Sequence, residues 1–220
     1  MKKTAIILGA TGLTGGILLQ KLIDDERYEQ IKLFSRSKME GLPSKVTQYI
    51  GDLLELEQFR SDFIADEVFC CIGTTTNKTP DKTLYKQIDY GIPVNAAKLA
   101  KDNGISTFLV ISAMGADQNS SVFYNKTKGE MERDVLQQQI KKTYILRPAL
   151  IDGNRDEKRA MESIGLALFK LIDPLLLGPL KKYKMIAAET IAQTMLYLAN
   201  HPNHSEAIIS STEIKVLSEK

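Results

Sequence analysis

Tyr124 and Lys128 stand four residues apart in the stretch SSVFYNKTKGEMERD, a spacing that places both on one face of a helix. A free phenol ionises near pH 10, too high for easy proton exchange at neutral pH. An ammonium one helical turn away stabilises the phenolate and turns tyrosine into a usable acid or base. The lysine can also hydrogen-bond a ribose. Ser112 lies twelve residues earlier, at the end of the apolar run FLVIS, where its hydroxyl can polarise a carbonyl oxygen. Together the three residue types suit hydride transfer coupled to proton transfer at a carbonyl or alcohol.

Such chemistry needs a hydride carrier, and a second constellation offers a place for one. ILGATGLTGG (residues 7–16) sets Gly9, Gly12 and Gly15 between a strand-like run and a helix-like run, with Thr11, Leu13 and Thr14 between them. Glycines let the backbone approach a pyrophosphate closely, and a helix N-terminus supplies free N–H groups and a favourable dipole. Twenty residues beyond Gly15 the second strand ends in FSRSK, where an NAD site would carry Asp or Glu. Arg36 and Ser37 stand there instead, and a guanidinium accepts a 2′-phosphate through charge-assisted hydrogen bonds. The expected cofactor is therefore NADP(H), preferred over NAD. GDL at 51–53 places the Asp52 side chain and Leu53 where an adenine would lie, and CIGTT brings Ile72, Gly73 and Thr74 beside the dinucleotide.

These residues must be held by regular elements, and the hydropathy pattern supplies them. Strand-length apolar runs recur at 4–8, 31–35, 46–50, 67–72, 106–112, 142–147 and 206–210. Several are continuous rather than alternating, as in parallel strands covered on both faces. Helical periodicity fills 13–24, roughly 54–62, 84–103, 122–139, 157–171 and 187–200. Alternating strands and helices predict an α/β fold, a doubly wound parallel sheet of the Rossmann type. The candidate site residues all fall at carboxyl ends of strands, where that architecture binds ligands. Residues 1–220 read as one dinucleotide-binding domain, with a leucine- and proline-rich appendage at 152–185 expected to cover the substrate side.

Composition narrows the remaining classes. Lysine and arginine number 29 against 27 acidic residues, well mixed, so no nucleic-acid footprint stands out. The run 164–180 is broken by Lys170, Asp173, Pro174 and Pro179 and reads as a poor spanning helix. Two adjacent cysteines, Cys70 and Cys71, cannot staple distant segments, which fits a reducing compartment. They read as packing in a buried strand rather than a redox pair. With only two histidines and no CxxC, no metal site is expected. Lys2 and Lys3 precede only the short run AIIL, so neither a leader nor membrane contact is expected and the location is read as cytoplasmic.

From ILGATGLTG through CCIGTT and SAMGAD to YNKTKGEMER and LRPALIDG, the chain resembles the short-chain dehydrogenase/reductase superfamily. More narrowly, it is similar to the atypical branch of Tat-interactive-protein-like oxidoreductases and NAD(P)-binding, epimerase-like proteins. The resemblance implies an NADP-type cofactor over the sheet, Tyr124 and Lys128 as the catalytic pair, and Arg147 and Pro148 opening the loop toward a small-molecule substrate. It also implies that helices 84–103 and 122–139 can pair in a homodimer. Two departures stand out. Related enzymes often carry a second hydroxyl after the first serine, where this chain has Ala113, and the helical asparagine of the family has two candidates, Asp89 and Asn95, neither assigned a role. Two other readings stay open: a regulator that binds NADP(H) without turnover, and a flavin or quinone reductase needing only hydride delivery.

Overall fold

The computed structural model describes residues 2–152, 183–201 and 204–220. Seven parallel strands form one sheet in the order β3-β2-β1-β4-β5-β6-β9. They are β1 (Lys3–Leu8), β2 (Tyr28–Ser35), β3 (Val46–Ile50), β4 (Glu67–Cys70), β5 (Thr107–Ile111), β6 (Lys142–Arg147) and β9 (Ile208–Ser210). The chain winds outward from β1 in one direction to β3, then returns and winds from β4 in the other. The switch between β1 and β4 leaves a crevice at their carboxyl ends, which is where ligands bind in open α/β sheets. A two-stranded parallel pair, β7 (Ile151–Asp152) with β8 (Ile186–Ala187), lies beyond β6. The helix expected over 157–171 and almost all of the appendage expected at 152–185 lie outside the described residues.

The continuous apolar runs resolve into period two, because each strand buries both its faces. Ala5 and Ile7 of β1 pack with Leu18 and Leu22 of α1 (Leu13–Asp24), Ile191 and Met195 of α5 (Ala188–Asn200), and Ile214 of α6 (Ser211–Leu217). Ile6 and Leu8 face the opposite layer, with Ala97 of α3 (Ile92–Asp102) and Met131 and Val135 of α4 (Phe123–Gln137). Each fully buried Leu or Ile contributes about 1.5–3 kcal/mol relative to exposure. Phe34 closes the second layer at its edge, stacked on Tyr49 at 4.8 Å and meeting Phe59 edge-on at 5.3 Å.

Three elements depart from the periodicity. Residues 54–62, expected as an α-helix, form a 3₁₀ segment over Leu53–Phe59, with non-helical backbone at Glu55. The helix expected over 84–103 is three pieces in succession: α2 (Lys82–Lys86), a π-helical turn (Gln87–Gly91) and α3. A widened turn keeps the apolar stripe in phase on either side, so hydrophobic spacing does not reveal it. Helix α6 is too short to give a periodic apolar signal, although Ser210 and Glu213 form a reciprocal capping box that is visible in SSTE.

Candidate active site

The glycine loop connects β1 to α1. Gly9 takes a left-handed backbone (φ +87°), and a side chain there would lie 2.8 Å from the Cys71 carbonyl oxygen at the exit of β4. Gly15 is a packing glycine: its Cβ position lies 2.2 Å from the Gly9 carbonyl oxygen, so only glycine lets α1 start this close to β1. Gly12 caps α1 without a side-chain hydrogen bond, and no acidic residue occupies the first turn. Thr11 and Gly12 are exposed, Leu13 is half-buried and Thr14 is buried. The loop therefore presents uncapped helical N–H groups at a turn packed so tightly that it requires glycine, an arrangement suited to a pyrophosphate.

Arg36 and Ser37 are exposed at the carboxyl end of β2, next to β1 in the sheet. Arg36 forms no ion pair among the described residues, whereas the neighbouring Lys38 is paired with Glu40 at 3.2 Å. Ser35 spends its hydroxyl on the Ser37 carbonyl. Asp52 accepts from the Leu54 N–H at 3.0 Å and so caps the 3₁₀ segment, while the Leu53 side chain is part of the core, leaving its main chain to meet a ligand. Ile72, Gly73 and Thr74 leave β4 directly opposite the glycine loop, and Thr74 is held by hydrogen bonds to Asp89 and Thr79.

Tyr124 and Lys128 both sit on α4. Tyr124 is 38% exposed, and its hydroxyl donates to no described residue. Lys128, one turn on, is buried, with its ammonium 2.8 Å from Oδ1 of Asp89. Asp89 is itself buried in the π-helical turn, and its other oxygen accepts from the Thr74 N–H at 2.7 Å. The loop after β5 lies directly against α4, because Gly129 has no side chain: a Cβ there would fall 2.1 Å from the Gln118 nitrogen. SAMGAD and TKGEME thus act as a pair of surfaces that fix the height of Tyr124 and Lys128 above the sheet.

Ser112 is placed differently from a free carbonyl-polarising hydroxyl. It is buried and donates to Glu132 Oε1 at 2.5 Å. Glu132 lies one turn beyond Lys128 and also holds Arg147, through Nε at 2.9 Å and through Nη2. Arg147 at the end of β6 is thereby anchored to α4. Glu132 has a clear sequence signal, because it continues the i, i+4 series from Tyr124 and Lys128.

The electrostatics of the pair depend on Asp89. Burial pulls the Lys128 ammonium down, but the Asp89 carboxylate and the Tyr124 oxygen outweigh it and hold the lysine above its ordinary value. Burial pushes the Tyr124 phenol up; Lys128 pulls it down and Asp89 pushes it up again, leaving it above the ordinary tyrosine value. Lysine alone would lower the tyrosine, as the spacing suggests, but its charge is shared with a buried carboxylate. Burial also pushes the Cys70 thiol up to about 11 and raises Cys71, so both are thiols at neutral pH.

A family model for NAD(P)H-binding proteins matches residues 9–202. The chain belongs to that family. It is 30% identical to Protein FMP52, mitochondrial, of Meyerozyma guilliermondii, over 96% of this chain and 93% of that protein. It is 31% identical to Protein HTATIP2 of Rattus norvegicus, over 76% and 70% respectively. Among solved structures it is similar to UDP-glucose 4-epimerase from Thermotoga maritima (TM-score 0.69, 15% identity, 98% of this chain and 82% of that one). It also resembles the Bordetella bronchiseptica enzyme WbmG in complex with NAD (TM-score 0.70, 14% identity, 100% and 78%). The chain is thus a member of the NAD(P)H-binding family with a Rossmann-type fold, the fold shared by the epimerase-like structures it resembles. The cytoplasmic location read from the sequence is overturned by the yeast relatives, which are named as mitochondrial. Cysteine usage and apolar run length report redox conditions and membrane spans, and neither encodes an organellar address. Among the described residues no helix is long and apolar enough to cross a membrane.

Proposed function

We propose that the protein is an NADPH-dependent oxidoreductase acting on a small carbonyl or alcohol substrate. The observation that carries this reading is the Tyr124 hydroxyl, which has no hydrogen-bond partner among the described residues and is backed by buried Lys128, on the same sheet edge as the uncapped glycine loop. The Gly9–Gly15 loop would hold the pyrophosphate and Arg36 the 2′-phosphate. Lys128 carries donors beyond the one given to Asp89 and would steady the nicotinamide ribose. When bound, the nicotinamide supplies or accepts the hydride at the substrate carbon. Tyr124 gives the substrate oxygen a proton or removes one, and Lys128 holds the phenol in register with that oxygen. Ser112 supports the site through Glu132 and Arg147, which leaves the Tyr124 hydroxyl as the donor to the substrate oxygen.

The test is a fluorescence titration of the purified protein with NADPH and NADH. NADPH should bind more tightly. Arg36→Glu should weaken NADPH by about tenfold to a hundredfold, the worth of a charge-assisted contact, while sparing NADH. Binding of neither nucleotide would overturn the reading, and equal affinities would remove the role given to Arg36.

A further inference from the structure

The layer formed by α2, the π-helical turn and α4 carries a groove that no step of the proposed reaction uses. Its volume is about 490 Å³, and its lining includes Lys82, Lys86, Gln87, Tyr90, Gly91 and Phe123. Small-molecule sites occupy roughly 300–1,000 Å³. The aromatic walls are fixed within the fold: the Phe123 ring meets Tyr85 edge-on at 5.6 Å, and the Tyr90 hydroxyl donates to Asp134 at 2.7 Å. Gly91 has ordinary helical angles (φ −63°, ψ −50°), and a Cβ built on it would meet nothing nearer than the Lys86 carbonyl oxygen at 4.0 Å. Neither backbone conformation nor packing therefore calls for glycine, which weakens a helix relative to alanine. The missing side chain leaves open space in a groove that Gly91 itself lines.

The groove is also positively charged. Lys82 and Lys86 are exposed and share one face of α2, with their ammonium groups 5.5 Å from the centre of the Phe123 ring and 5.4 Å from that of Tyr90. Lys86 is paired with Glu130 at 2.6 Å, whereas Lys82 has no acidic partner among the described residues. The other nearby acids are committed elsewhere: Asp134 pairs with Arg133, and Asp81 accepts from the Leu84 N–H that it caps. One ammonium is thus left uncompensated beside an aromatic wall. A second copy docked here across a twofold axis would set this positive patch against itself. An anion meets no such repulsion.

We propose that this groove binds an amphipathic organic anion, an aromatic carboxylate or sulfonate whose flat body packs on Phe123 and Tyr90 and whose charge meets Lys82. Aromatic rings in contact favour offset or edge-on packing, and the ammonium adds a charge-assisted hydrogen bond. The groove shares no residue with the glycine loop, Arg36 or the Tyr124–Lys128 pair, so the proposal does not depend on the oxidoreductase reading.

The probe is 8-anilinonaphthalene-1-sulfonate, an aromatic sulfonate whose fluorescence rises as it leaves water. It is titrated into the purified full chain with excess NADP⁺ present to occupy the dinucleotide crevice. Saturable binding is expected. Lys82→Glu should weaken it about tenfold, the worth of a hydrogen bond to a charged group, and Lys82→Arg should keep it within about threefold of wild type. Lys82 is exposed in the first turn of α2, where an acidic side chain suits the helix dipole, so the Lys82→Glu variant tests binding rather than folding. Gly91→Leu fills the groove and should weaken the dye by about tenfold as well. The proposal is overturned if no saturable binding is seen, if NADP⁺ displaces the dye completely, or if either Lys82→Glu or Gly91→Leu leaves its affinity unchanged. A dimer in light scattering that takes up the dye only when diluted to monomer would give the groove to a second copy and overturn it too.

Discussion

Tyr124 and Lys128 could be paired from their spacing alone, because an α-helix puts residues four apart on one face whatever it packs against. The charge on that pair could not. It depends on Asp89, thirty-nine residues from Lys128 in sequence and in contact with it only after folding. Ser112 likewise had the right type and place, yet its hydroxyl is turned to Glu132. Replacing Tyr124 with Phe should lower turnover of a carbonyl substrate by about 10²–10⁴, the usual contribution of a positioned acid, while NADPH affinity stays within error. Steady-state kinetics beside the fluorescence titration measure both. Full turnover in Tyr124→Phe would favour hydride delivery without a proton donor, as in a flavin or quinone reductase.

At the scale of elements, the loop between β1 and α1 combines two functions that its glycines separate. Gly15→Ala pushes a methyl group to 2.2 Å from the Gly9 carbonyl, a backbone atom that cannot swing aside. It should cost about 1–3 kcal/mol or more in urea unfolding, as overpacking does. Gly12→Ala meets the same oxygen at 3.2 Å, with ordinary backbone angles, and sits exposed at the helix start. Its stability should change by less than that of Gly15→Ala, whereas its NADPH affinity should fall. Equal losses of stability in the two variants would contradict the division of labour. The glycine spacing identified the loop, but which glycine packs and which faces a ligand followed only from the approach of α1 to β1.

Across the whole molecule, the edge opposite the site is tied by a polar cluster. Glu67 of β4 meets Lys3 of β1 at 3.1 Å and Tyr28 of β2, and Tyr28 accepts from Asn200 at the end of α5. Burial raises the Glu67 carboxyl above its ordinary value, against the pull of Tyr28 and Lys3. A raised acid binds its proton more tightly when folded, so its contribution to stability is complete below about pH 4.5 and drains away as pH rises through the folded value. The stability of the wild type relative to Glu67→Gln should therefore fall between pH 4 and pH 7 in denaturant unfolding. A difference that grows with pH would show that the ion pair with Lys3 outweighs burial.

The seven strands of the main sheet, the glycine loop and the Tyr124–Lys128 spacing were determined by the sequence itself, because hydrophobic period and local spacing are properties of neighbouring residues. The π-helical turn was not, since both flanking segments keep the same apolar stripe. Nor were the Asp89–Lys128 pair, the anchoring of Ser112 and Arg147 by Glu132, or the cluster around Glu67. Each joins residues distant in sequence, and whether a buried charge meets a partner is decided by packing in three dimensions rather than by any pattern along the chain.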